Sequence, residues 1–189
     1  MRSTTEALKS LETAVERYLA ELNKLDMDSL HRKQSEEEWS IGQMYVHLIQ
    51  SARFMHLHNV EEQCLSSKDS ALNSDEEKTE LGRQVFESGH FPPVPVKVPA
   101  SPQYTPQPPE SKDSLIDGLH MVVERMRSTE PLVNQASVNN KIRHPRLGAL
   151  NAQEWFLLIE MHYRHHFLQL DRLISNLEMY TREGNGMYL

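Results

Sequence analysis

Residues 39–48 read Trp-Ser-Ile-Gly-Gln-Met-Tyr-Val-His-Leu. Ser40 is a favourable helix N-cap, and Gln43 three residues later completes a capping-box pattern. The stretch therefore predicts a helix that starts after Ser40 and continues to about Leu65, where the apolar pattern ends. His47 lies two turns into this helix, at the edge of its apolar face.

The segment that begins at Asn151 predicts another interior helix. Asn151 is its N-cap, Glu154 completes a second capping box, and the apolar periodicity runs to about Leu177. At about 100° per residue, His162 and His166 fall at the centre of the apolar stripe. Both imidazoles are therefore predicted to point into the protein.

The other faces of this last helix are predicted to differ from the stripe. Glu160, Arg164 and Asp171 lie on the far side, which is therefore expected to be the solvated face. His165 falls on the flank beside Met161, so it is the weakest candidate ligand among the three histidines of this helix.

The histidine spacing suggests a metal site without requiring one. Two inward imidazoles four residues apart can bind one ion, but hydrogen-bonded core histidines explain His162 and His166 equally well. A lone His47 would normally be a boundary residue, and the pair on a neighbouring helix makes it a candidate third ligand. His58 lies on nearly the same face, about 16 Å further along, and cannot reach the same ion. Three histidine ligands would leave a position open, as in catalytic zinc sites.

The remaining sequence predicts two more helices and a long connection. A first amphipathic helix is expected over Thr5–Leu25, and a third from Ser111 or Asp113 to just before Pro131.

Residues 66–110 lie between helices 2 and 3. Apart from a short helix around Glu76–Glu87, they favour extended chain, because eight prolines fall between Pro92 and Pro109. We interpret this segment as a stiff crossover, which is compatible with a role as a lid over a cavity.

These elements predict an all-α protein: a four-helix bundle with a long proline-rich crossover between helices 2 and 3, in one domain over residues 1–189. The net charge of −7 and the lack of a basic run argue against a nucleic-acid partner. The single cysteine, Cys64, cannot form an internal disulfide. There is no secretory h-region and no membrane-length apolar stretch. A soluble, cytoplasmic protein without a membrane partner is expected.

Three apolar residues of the last helix, Leu157, Met161 and Leu168, point away from its inner stripe. They could contact the crossover or a neighbouring helix. The more specific interpretation is a subunit interface, because contiguous exposed apolar surface is uncommon in monomers. A homodimer is therefore predicted.

Three phrases together resemble the DinB-like superfamily, in particular the branch of bacillithiol S-transferases and proteins described as metal-dependent hydrolases. They are the Trp-Ser-x-x-Gln-x-x-x-His-Leu phrase of residues 39–48, the His-Pro-x-x-Gly phrase of residues 144–148, and His162-x-x-x-His166 followed by Gln169. The resemblance implies a four-helix bundle with a three-histidine divalent-metal site, often zinc or nickel, and commonly a homodimer. One departure is Gln43, a position that is often acidic in the family and is interpreted here as a capping residue.

Carried over by position, the resemblance makes His47, His162 and His166 the metal ligands, with no catalytic residue beyond them. It implies a divalent-metal-dependent enzyme, foremost a low-molecular-weight, bacillithiol-like thiol S-transferase acting on a small electrophile. A metal-dependent hydrolase on the same site and a non-catalytic metal-binding helical protein are the alternatives.

Overall fold

A computed structural model describes residues 2–65, 76–93 and 105–185 of the chain. The α-helices are α1 (Thr4–Asn23), α2 (Met27–His31), α3 (Ile41–Gln50), α4 (Glu80–Ser88), α5 (Lys112–Val133), α6 (Ala152–His165) and α7 (Phe167–Asn185). Helix α3 continues through two π-helical segments, Ser51–His56 and Asn59–Cys64. Strands β1 (Lys141–His144) and β2 (Gly148–Asn151) form an antiparallel hairpin. The predicted all-α fold is confirmed.

The bundle consists of α1, α3 with its π-helical extension, α5 and α6. Helix α1 packs on both α5 and α6, and α3 packs on α5. The side chains that α1 turns inward recur at helical spacing and are fully or almost fully buried: Ala7, Leu11, Ala14, Val15, Tyr18 and Leu22. The core is therefore built from the apolar stripes that the sequence predicts, with aromatic residues at its centre.

Both predicted capping boxes are present. The Ser40 hydroxyl accepts the backbone N–H of Gln43 at 3.1 Å, and the Gln43 Oε1 accepts the backbone N–H of Ser40 at 3.0 Å. Asn151 and Glu154 form the same reciprocal pair, each at 3.0 Å. These local bonds satisfy backbone donors that a helix start leaves free, and they explain why α3 and α6 begin where the sequence predicts.

Helix boundaries depart from the prediction elsewhere. The last helix is divided at His166, and its second part extends to Asn185 instead of ending near Leu177. Helix α5 passes through Pro131 and ends at Val133. Pro131 lies in the final turn, where a proline removes only one backbone hydrogen bond. The helix therefore continues for two residues beyond Pro131 and does not end before it.

The hairpin of β1 and β2 was not predicted. It holds one end of the crossover, because the backbone N–H of Thr79 donates to the Leu147 carbonyl at 2.9 Å and that of Ala149 to the Glu77 carbonyl at 3.2 Å. Gly148 adopts a φ of 84° at the turn. The His-Pro-x-x-Gly phrase is thus a structural corner.

The other end of the crossover is held by α2 and α3. The Gln43 amide donates to the Pro106 carbonyl at 2.7 Å, and the His31 Nε2 lies 2.9 Å from the Pro109 carbonyl. The predicted short helix is α4. The middle of the crossover, residues 94–104, and residues 66–75 lie outside the described part, so the lid remains a prediction.

In the last helix, the structure supports contact within the chain for two of the three outer apolar residues, and it contradicts the expectation for Glu160. Leu157 and Met161 are only 3% and 5% exposed, because the chain itself covers them, and only Leu168 is well exposed. Glu160 is buried and not on a solvated face; it pairs with Arg164 and accepts the Ser10 hydroxyl at 2.6 Å. The apolar surface proposed for a dimer is therefore smaller than predicted.

No helix within the described ranges has both the length and the apolar character needed to cross a membrane.

Candidate metal centre

Three imidazoles from different parts of the chain meet in the bundle. The Nε2 of His162 lies 3.2 Å from that of His47 and 3.1 Å from that of His166. The candidate ligand atoms of all three lie within 4.8 Å of one another. We call these three residues the histidine cluster. The structure thus brings together the three residues that the sequence proposes as ligands.

The nitrogen separations suit a single cation. Zinc–nitrogen bonds of about 2.0–2.1 Å at tetrahedral angles put the ligand nitrogens about 3.4 Å apart, whereas neighbouring octahedral ligands at that distance lie about 3.0 Å apart. The separations of 3.1 and 3.2 Å fall between these values. These two separations suit one divalent cation of either geometry, and all three candidate ligand atoms lie within 4.8 Å of one another.

The local backbone explains how α6 presents two ligands to one point. His162 projects from the last turn of α6, and His166 lies at the junction between α6 and α7. At His166 the backbone has φ −76° and ψ −5°, so the helix unwinds locally from its usual ψ near −42°. The chain then resumes α-helix at Phe167. The predicted inward pair is present, at a break that the periodicity does not indicate.

Two neighbours orient the cluster rings. The Nδ1 of His166 lies 2.8 Å from the Gln169 Oε1. Because that oxygen can only accept, the proton of the neutral His166 is on Nδ1 and the Nε2 lone pair faces the cluster. The Ser51 hydroxyl lies 3.4 Å from the Nδ1 of His47. Such outer contacts set which nitrogen is available to a metal.

Burial keeps the cluster unprotonated. It lowers the pKa of His47 to about 4 and the pKa of His166 to about 3. Burial, reinforced by the neighbouring imidazoles, also holds the pKa of His162 well below its usual value. Neutral imidazole is the form that binds metals. At neutral pH the three rings therefore offer lone pairs and not positive charge.

Aromatic side chains surround the cluster. The Trp39 ring lies 4.8 Å from the His47 ring, centroid to centroid, and the Phe91 ring lies 6.5 Å from that of His162. Phe91 also contacts His165, at 5.4 Å. His165 lines a neighbouring groove of about 250 Å³ and does not join the cluster.

His58, His144 and His56 also lie outside the cluster, and one of them is buried beside it. His58 is exposed, not on the cluster face. The Nδ1 of His144 accepts the backbone N–H groups of Arg146 and Leu147, each at 3.1 Å, and so closes the hairpin turn. His56, which the periodicity did not single out, is buried against His162, with ring centroids 5.5 Å apart.

Residues 10–170 match the DinB superfamily. The chain belongs to the DinB superfamily. The match spans most of the bundle and includes the whole histidine cluster, so the resemblance inferred from the three sequence phrases is confirmed. No curated protein and no solved structure matches this DinB-superfamily chain significantly. Its chemistry must therefore be inferred from the histidine cluster itself.

Proposed function

We propose that this protein is a divalent-metal-dependent enzyme that joins a low-molecular-weight, bacillithiol-like thiol to a small electrophile. His47, His162 and His166 are the proposed ligands, and their converging Nε2 atoms carry the proposal. A three-histidine set leaves room for an exogenous ligand, as catalytic zinc sites do. Zinc or nickel is the expected cation, because imidazole suits both.

A divalent cation in this cluster would stabilise the deprotonated form of a thiol or water that ligates it, and so supply a nucleophile near neutral pH. The protein keeps the three imidazoles neutral and orients their lone pairs. Burial keeps the three imidazoles unprotonated, and Gln169 directs the lone pair of His166 inward. The rings of Trp39 and Phe91 lie beside the rings of His47 and His162.

Gln43 cannot act as a general base that would assist hydrolysis. Attack by water benefits from a general base, and the position one turn before His47 carries an amide, which does not take up a proton at neutral pH. Both polar atoms of that amide are already bonded, to the Ser40 N–H and the Pro106 carbonyl. A thiol is a stronger acid than water, so a cation-bound thiol depends less on such a base. A cytoplasmic location, which we also propose, would keep such a thiol reduced.

The test uses protein purified without a histidine tag and without added metal. Elemental analysis should find about one zinc or nickel ion per chain. The metal-loaded protein should accelerate conjugation of bacillithiol, cysteine or glutathione to an aryl chloride, with an apparent pKa for the rate below that of the free thiol. Chelation should remove the activity and added metal restore it. The exposed His58→Ala variant is the control and should remain active.

Other outcomes identify the alternatives. Ester or amide hydrolysis that is independent of thiol would replace the transferase with the hydrolase. Stoichiometric metal without either activity, across a broad panel of electrophiles and esters, would leave a metal-binding protein without catalysis.

A further inference from the structure

One nitrogen of the histidine cluster lacks the partner that metal ligands usually have. Gln169 and Ser51 serve the Nδ1 atoms of His166 and His47. The Nδ1 of His162 is buried and has no hydrogen-bond partner in the part of the chain that the structure describes. A histidine that ligates through Nε2 carries its proton on Nδ1, and this N–H almost always donates to an acceptor. A metal-bound His162 therefore needs a hydrogen-bond acceptor for its Nδ1–H, on the side of the ring that faces away from the cluster.

His56 is placed to be that acceptor. Its side chain is buried, and its ring meets that of His162 edge to face, with centroids 5.5 Å apart and planes at 86°. Trp155 lies 6.0 Å away, so the surroundings are partly apolar. The Nδ1 of His56 is also buried and unpaired among the described residues. Two unpaired nitrogens on touching buried rings are unusual, because each costs free energy unless it is hydrogen-bonded.

A π-helical turn directs His56 to this position. Nine residues of uninterrupted α-helix, at about 100° each, would place it on the face opposite His47. Instead, the N–H of Leu57 donates to the Ala52 carbonyl, five residues back. Such a turn contains one additional residue, which rotates the following side chains by about 100°. The rotation brings His56 from the face opposite His47 to about 80° from the direction of His47, and in the structure His56 is buried whereas His58 is exposed.

From these contacts we infer that His56 is a positioning residue of the metal centre, whose imidazole accepts a hydrogen bond from the Nδ1–H of His162 when His162 binds a cation. This inference rests on the metal site of the proposed function. The second side-chain torsion of histidine is broad, so the His56 ring is free to change its orientation toward His162 within its rotamer. The bond fixes the orientation of the His162 ring and makes its Nε2 a better ligand.

The test compares His56→Gln with His56→Leu. Glutamine retains an acceptor, whereas leucine fills similar space without one. Zinc affinity is measured by competition with a chromogenic chelator, and thermal unfolding is measured on the metal-free proteins. His56→Leu should bind zinc about 10–100-fold more weakly than wild type, with an unchanged or higher melting temperature when metal-free, and His56→Gln should stay within about threefold. Equal zinc affinity in His56→Leu and wild type, or an equal loss in both variants, would overturn the inference.

A second measurement does not depend on a substitution. In zinc-loaded wild-type protein with ¹⁵N-labelled histidine, the Nδ1–H of His162 should give a resonance that exchanges slowly with solvent. Exchange as fast as that of free imidazole would contradict the hydrogen bond even if the His56 variants did not fold. Failure of the wild-type protein to bind zinc, nickel or cobalt would instead remove the metal centre, a result that is distinct from tight binding without a role for His56.

Discussion

The side-chain amide of Gln43 donates a 2.7 Å hydrogen bond to the carbonyl oxygen of Pro106, on the far end of the crossover. Gln43 is only 5% exposed, and its Oε1 is committed to the cap at Ser40. One side chain thus starts the helix that carries His47 and ties the crossover to it. A glutamate in this place could form the cap but could not donate to a carbonyl.

Replacing Gln43 with Glu should therefore destabilise the protein while preserving the helix start. The change leaves the Pro106 carbonyl without its donor and places a carboxylate beside it, which should lower the free energy of unfolding by about 1–3 kcal/mol. Urea unfolding measures the loss, and limited proteolysis should cut the crossover faster. Ser40→Ala, which removes the cap and not the donor, should cost about 1 kcal/mol without faster cleavage. Equal cleavage in both variants would contradict a specific tether.

The parts of the fold that could be predicted are those determined by neighbours in sequence. The starts of α3 and α6 depend on a cap and a residue three positions later, and both are visible in the sequence. The inward direction of His162 and His166 follows from helical periodicity over a few turns. The three ligand candidates therefore needed no knowledge of tertiary structure, apart from the expectation that their helices face each other.

The parts that could not be predicted depend on the whole fold. The π-helical turn after Gln50 rotates the face of the helix. An ideal period of 3.6 residues places His58 near the face of His47 and His56 opposite to it, whereas the structure buries His56 and exposes His58. The burial of Glu160 depends on Ser10 and Arg164, of which the former is distant in sequence. The sequence signal for the hairpin was limited to Gly148, because four-residue strands show too little alternation.

Gly148 is expected to be essential for the corner that holds the crossover. Its φ of 84° is unfavourable for other residues, and an added Cβ would lie 2.6 Å from the Glu77 oxygen and 2.6 Å from the Thr79 nitrogen. Gly89 is a matched control, since it also has a positive φ but nothing within 4 Å of an added Cβ. Gly89→Ala should cost about 1–2 kcal/mol, and Gly148→Ala about 1–3 kcal/mol more. Chemical denaturation of both variants tests the difference; equal losses would mean that the corner relaxes freely.

A homodimer remains a prediction, now resting on Leu168. This residue is 60% exposed at the rim of the groove formed with Phe91 and His165. We expect a dimeric mass by light scattering at micromolar concentration, and Leu168→Asp should shift it toward the monomer. Leu132→Asp, a similar change at a 51% exposed position of α5, should not. A monomeric wild-type protein would refute the dimer.

The metal-free protein should lose stability in mild acid. Burial lowers the pKa of His47 and of His144 to about 4 and the pKa of His56 and of His166 to about 3. In the unfolded chain histidine titrates near 6.5, so below that pH the unfolded state takes up protons first. The stability is fully present above about pH 6.5 and falls as the pH drops toward 4, by about 1.4 kcal/mol per pH unit for each such group.

Urea unfolding between pH 7 and 5, with a chelator present, measures this slope. His166→Asn should reduce the average slope over this range by about 1 kcal/mol per pH unit, because one titrating group is removed. The exposed His120 is the control, and His120→Asn should leave the slope unchanged. A slope that is the same in all three proteins would show that protonation of the cluster does not limit folding.

Zinc binding should depend on the histidine cluster and not on the neighbouring His165. Replacing His47, His162 or His166 with alanine removes one of three converging nitrogens and should abolish stoichiometric zinc binding. His165→Ala should retain it, because that ring faces Phe91 and the groove.

Zinc at about 100 times its dissociation constant should raise the free energy of unfolding of the wild type and of His165→Ala by about 2.7 kcal/mol, and should not stabilise the three cluster variants. Elemental analysis after dialysis and thermal unfolding with and without zinc provide the two readouts. Equal loss of zinc in all four variants would contradict the ligand assignment, since the geometry separates His165 from the other three.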